Sequence, residues 1–126
     1  MNQGRLPIDF RDRAKKFASG IIRLLVKLPK GREEVRVLGK QLLRSGTSVA
    51  AHVREASRAR SGEEFVSKLG GATQEADESQ LWLELLRQDC GIEPKLTEPL
   101  EQECSELMAI FTTMIKRTKQ KDKAES

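Results

Sequence analysis

The 126-residue chain is poor in aromatic side chains, with four phenylalanines, one tryptophan and no tyrosine. Sheet proteins draw on aromatic and β-branched residues, so this scarcity favours leucine-rich helix packing over a β-sandwich. Histidine occurs once and cysteine twice. Cys90 and Cys104 have no metal-like spacing, and two cysteines do not make a disulfide framework. Both read as small core residues, and neither a metal nor a cofactor is expected. The four prolines fall near segment ends rather than inside the periodic runs. No apolar run approaches the roughly 18 residues of a membrane span. The first ten residues, MNQGRLPIDF, lack the apolar stretch of a secretory leader. The expectation is one reduced, cytoplasmic domain without membrane contact.

What the chain does have is periodicity. Phe10, Ala14, Phe17, Ile21, Leu24 and Leu28 recur in steps of four and three, the seam of a packed helix. Asp9 suits its N-cap, and Pro29-Lys30-Gly31 stops it. A second run, Val35, Leu38, Leu42, Ser45, Val49, His52 or Val53, and Ala56, ends near Ala59. Ser61-Gly62-Glu63-Glu64 forms a capping box for a third run: Phe65, Leu69, Ala72, Ala76, Ser79, Leu83, Leu86, Cys90, closed by Gly91. Pro94 falls in the loop that follows, and Pro99 suits the first turn of the last helix. There the seam is Leu100, Cys104, Leu107, Phe111, Met114 and Thr118. Glutamates at its start and lysines at its end complement the helix dipole. Four helices with short connections predict an all-α, up-down-up-down antiparallel four-helix bundle over residues 10–118. Residues 1–9 read as an N-terminal extension and 119–126 as a disordered tail.

The middle of the second helix is small. If helices two and three are antiparallel about a turn near residue 60, position i lies level with 120 − i. Ser45-Gly46-Thr47-Ser48 then faces Gly70-Gly71-Ala72-Thr73, and close backbone approach offsets the cost of helical glycine. A phosphate loop at Gly70-Gly71 is disfavoured, because no strand precedes it and no Lys-Ser or Lys-Thr follows.

Catalysis is disfavoured on geometry. Ser48, His52 and Glu55 share one helical face, but a straight helix stacks them about a turn apart, whereas working triads converge from separate elements. His52 reads instead as a half-buried residue hydrogen-bonded across the bundle. Glu75, Asp77 and Glu78 lack the Glu-x-x-His partner of a bundle metal site. They read as polar or ion-pairing residues, with Glu78 within reach of the second helix's arginines.

Charge is segregated. Residues 1–29 carry seven basic and two acidic side chains, and residues 30–60 carry eight and three. Residues 61–100 carry three and nine, and the remainder balances, within a net charge of +4. Three readings fit. A basic face binds phosphates without reading sequence, at Arg36, Lys40, Arg44, Arg54, Arg58 and Arg60. Alternatively, those basic helices meet Glu75, Asp77 and Glu78 of a neighbouring subunit, with His52 and Glu55 at or near the contact, in a head-to-tail ring. The third reading is a plain solvated surface. With few aromatics there is no stacking platform for bases.

The pattern L-x-x-Q-L-x-R-S-G-T-S-V-A-A-x-x-x-E-A-x-R-A-x-S-x-x-E-F resembles a bacterial four helix bundle protein family that includes proteins encoded in 23S rRNA intervening sequences. Gln41, Leu42, Arg44, Ser45, Ser48, Val49, Glu55, Arg58, Ser61, Glu64 and Phe65 carry the match. The acidic run Glu75–Leu86 and Phe10-Arg11-Asp12 are also similar, and the resemblance spans roughly residues 8–118. His52 replaces a frequent asparagine, and no tryptophan precedes Ala18. A related branch holds the accessory variability determinants of diversity-generating retroelements. The resemblance implies a homopentameric ring with a basic surface; in the accessory branch that ring binds nucleic acid and works beside a reverse transcriptase.

Overall fold

The computed structural model describes residues 8–125, with side chains from Phe10 onward. Four helices follow in order: α1 Ile8–Lys27, α2 Glu33–Ser57, α3 Gly62–Gln88 and α4 Pro94–Glu125. Each packs against its sequence neighbours and α4 returns to α1, with no diagonal helix contact among the described residues. That is the up-down-up-down antiparallel bundle. The seams of α1 and α3 are buried throughout. In α2 the ambiguous step resolves to Val53, which is fully buried, while His52 is half-buried. Phe10 and Phe111 meet edge to face at 5.6 Å and tie α1 to α4.

Gly31 and Gly91, both at positive φ, end α1 and follow α3. The capping box forms with one change. Ser61 Oγ accepts from Glu64 N at 3.0 Å, but Glu64 Oε1 accepts from Arg60 N at 2.7 Å rather than from Ser61 N.

Three predicted boundaries move. First, α1 begins at Ile8, so Asp9 lies in its first turn instead of capping it; residues 1–7 of the predicted extension lie outside the described residues. Second, α4 begins at Pro94, not at Pro99. Proline at the first helical position loses nothing, and the added turn buries Thr97 and half-buries Leu96 against the core. Pro99 then sits inside the helix on an exposed face, and lacking an N–H it offers the Lys95 carbonyl no helical donor. Third, 119–125 is helix rather than a disordered tail. Thr118 is buried, and the Asp122 carboxylate lies so close to Gly62 that a Cβ there would clash with Oδ2. Asp122 thus sits against the positive end of α3, which holds this last stretch to the bundle.

Candidate nucleic-acid interface

The side chains that join α2 to α3 give the register directly. Ser45 Oγ meets Ser79 Oγ at 2.7 Å, Arg44 reaches Glu75 and Glu78, Lys68 Nζ lies 3.6 Å from Glu55, and Gly71 sits under the His52 ring. Level positions therefore sum about three residues higher than the expected 120. The predicted small-against-small patch separates accordingly. A Cβ on Gly46 would meet Ile21 Cγ1 of α1 at 2.9 Å, one on Gly71 would meet the His52 ring at 3.0 Å, and one on Gly70 would meet nothing. Of these three glycines, Gly71 alone lies against the facing helix of the α2–α3 pair. Gly39 and Gly46, seven residues apart, lie against α1 instead.

His52 does not bond across the bundle. Its Nδ1 is buried without a hydrogen bond, 3.3 Å from Glu55 Oε1 on its own helix. No hydrogen bond joins it to Ser48 among the described residues, so the Ser48, His52, Glu55 series remains a stack along one helix. No group of three or more His, Cys, Asp and Glu gathers in metal-binding range among the described residues.

Several arginines are held by carboxylates. Arg13 grips Glu103 with two hydrogen bonds of 2.7 and 2.8 Å and adds Glu106 at 2.8 Å, clamping α1 to α4. Those carboxylates raise the Arg13 pKa further above its ordinary value. Arg87 holds Glu101 with two bonds of 2.9 Å, clamping α3 to α4, and keeps that carboxyl below the usual glutamate range. Arg32 holds Glu34 and the Cys90 carbonyl, and Arg36 holds Glu33. Arg44 is engaged by Glu78 and by Glu75, whose Oε1 lies 3.2 Å away. Of the basic residues singled out in the sequence, Lys40, Arg54, Arg58 and Arg60 are all exposed, with no carboxylate partner among the described residues. Among the described residues Arg60 engages through its backbone N–H alone.

Arg36, Lys40, Arg54 and Arg58 recur at helical spacing along the outer ridge of α2, over about 33 Å. Arg54, Arg58 and Arg60 gather at its C-terminal end. The fold adds a cation that the sequence reading passed over. Arg11 Nη1 donates to Ser57 Oγ at 3.5 Å, and Ser57 Oγ donates to the Arg54 carbonyl at 2.7 Å, so α1 brings Arg11 beside the cluster. The α1–α2 register, set by Gly46 on Ile21, was the missing information.

The acidic residues singled out above are scattered. Glu75 is half-buried and Glu78 is partly exposed, both turned to Arg44; Asp77 is exposed and unpaired among the described residues. Glu55 lies between His52 and Lys68. Burial pushes the Cys104 thiol up to about 12, as suits an inert core residue.

A family model described as 23S rRNA-intervening sequence protein matches residues 8–113. The chain belongs to that family. It is also similar to a crystal structure from Bacteroides thetaiotaomicron VPI-5482, of a protein with unknown function from the S23 ribosomal protein family. The two share 36% identity, covering 84% of this chain and 97% of that one, with a TM-score of 0.74. No curated protein matches. Membership brings the four-helix bundle with it, and no helix among the described residues is long and apolar enough to cross a membrane.

Proposed function

We propose that the protein is a non-enzymatic, homo-oligomeric bundle that holds the phosphate backbone of RNA or DNA on the basic end of α1 and α2. The observation that carries this reading is the division of the cations. Arginines at the α1–α4 and α3–α4 seams are occupied by glutamates, whereas Arg54, Arg58 and Arg60 stand exposed together without a carboxylate. Unpaired guanidinium groups are suited to bidentate phosphate contacts. All four phenylalanines are buried and Trp82 is half-buried, so the cluster offers no stacking platform and backbone charge supplies the affinity. A structured RNA satisfies this chemistry, whether it is an insertion in 23S rRNA, as the family description suggests, or the template of a reverse transcriptase that the protein assists.

The competing reading pairs α2 arginines with Glu75, Asp77 and Glu78 of a neighbour, without nucleic acid. It is weakened because Glu75 and Glu78 already hold Arg44 of their own chain. The test is a triple variant, Arg54→Gln, Arg58→Gln and Arg60→Gln, titrated against a labelled RNA hairpin. Affinity is expected to fall about tenfold per arginine at roughly 0.1 M salt, with helix content and oligomer size unchanged. Unaltered affinity would overturn the proposal.

A further inference from the structure

Leu25 and Leu28 of α1 meet Val35, Gly39 and Leu43 of α2 in a surface groove of about 440 Å³. A Cβ on Gly39 would lie 3.2 Å from Leu25 Cδ2, so glycine lets the two helices close on the groove floor. Next to the groove, Val26 is 71% exposed and Ile22 48%, on the same α1 face as Leu25. Leu43 is 38% exposed at its edge. The rim carries Lys30, Arg32, Arg36 and Lys40 against Glu33, which Arg36 already holds. A concave apolar patch of this kind with a basic border marks an interaction site, and its floor is unsuited to phosphate.

The outer face of α3 carries the complement. Leu81 is 45% exposed and Leu85, one turn on, is half-buried. Asp77 and Glu84 bracket Leu81 at one turn before and one turn after, and neither makes an ion pair among the described residues. This is a convex apolar ridge with an acidic border. It lies on α3 whereas the groove lies between α1 and α2, so a contact between the two surfaces joins separate copies.

The geometry points to a head-to-tail contact in which the Leu81 ridge of one copy seats in the α1–α2 groove of the next, with Asp77 and Glu84 set against Lys30 and Lys40 of its rim. A groove cannot pair with an identical basic groove, so the contact joins two different surfaces, and made head to tail it closes into a ring where the rotation allows. It rests on the proposed homo-oligomer and assigns the surface that makes it. It also divides the basic residues: Lys30 and Lys40 serve the subunit contact, leaving Arg54, Arg58 and Arg60 for phosphate.

Two variants test this together, Leu81→Arg to block the ridge and Leu43→Glu to block the groove, each followed by sedimentation velocity. The wild-type chain is expected to be oligomeric and each variant alone monomeric. Mixed in equal amounts, the variants are expected to form a dimer and nothing larger, because one intact ridge and one intact groove remain between them. Asp77→Lys with Glu84→Lys repeats the ridge test without touching an apolar side chain. An oligomer that survives both variants, or a mixture that stays monomeric, overturns the assigned surface while leaving the homo-oligomer standing. A monomeric wild-type chain overturns both.

Discussion

Gly46 and Gly70 occupy opposite environments within one bundle. A methyl group on Gly46 would press to 2.9 Å from Ile21 Cγ1, an atom near the base of a fully buried side chain rather than its flexible tip. Overpacking of that kind costs about 1–3 kcal/mol, more than the roughly 1 kcal/mol that alanine gains over glycine in a helix. Gly46→Ala is therefore expected to destabilise. Gly70 faces open space within α3, so Gly70→Ala is expected to stabilise by about 0.5–1 kcal/mol. Urea denaturation of the two variants checks both signs at once. The abundance of small residues was legible in the sequence, but their partners were not. Turn geometry at residues 58–61 shifts the α2–α3 register by about three residues, and that shift moves Ser45 onto Ser79 and His52 over Gly71.

At the scale of elements, α4 is held by two arginine clamps, Arg13 from α1 and Arg87 from α3. The contact of α4 with α1 is the slightest of the four helix contacts, which gives the Arg13 clamp and the Phe10–Phe111 pair added weight there. Glu101 is held below its ordinary value of 4.5 by the Arg87 hydrogen bonds. Glu106 is held below it by Gln102 and then Arg13. A carboxyl depressed in the folded state contributes stability that is complete above its unfolded pKa and is lost as pH falls through the folded one. Stability is thus expected to decline with acidification below 4.5. Arg87→Gln is expected to lower stability near neutrality and flatten the acid-side decline, measured as urea midpoints over a pH series. The apolar seams and the helix count were readable from spacing alone. The start of α4 was not, because Pro94 and Pro99 both suit a first turn and only the burial of Thr97 decides between them. Nor was its end, since QKDKAES has no seam of its own and is held through Asp122 at Gly62.

Over the whole molecule, the split of charge between the first two helices and α3 was visible in the residue counts. Which cations stay free was not visible, because pairing depends on register between helices distant in sequence. Arg44, a sequence candidate for phosphate, is taken by Glu75 and Glu78 of its own chain, whereas Arg11 joins the free cluster from α1. The central claim is that free arginines at this one end bind phosphate by releasing counterions. The most direct measurement is affinity for a DNA duplex of roughly 20 base pairs across a salt series, plotted as log affinity against log salt, where each phosphate contact adds about 0.9 to the slope. The triple arginine variant is expected to give a slope shallower than wild type by about 2.7. Equal slopes for the two proteins would contradict the account.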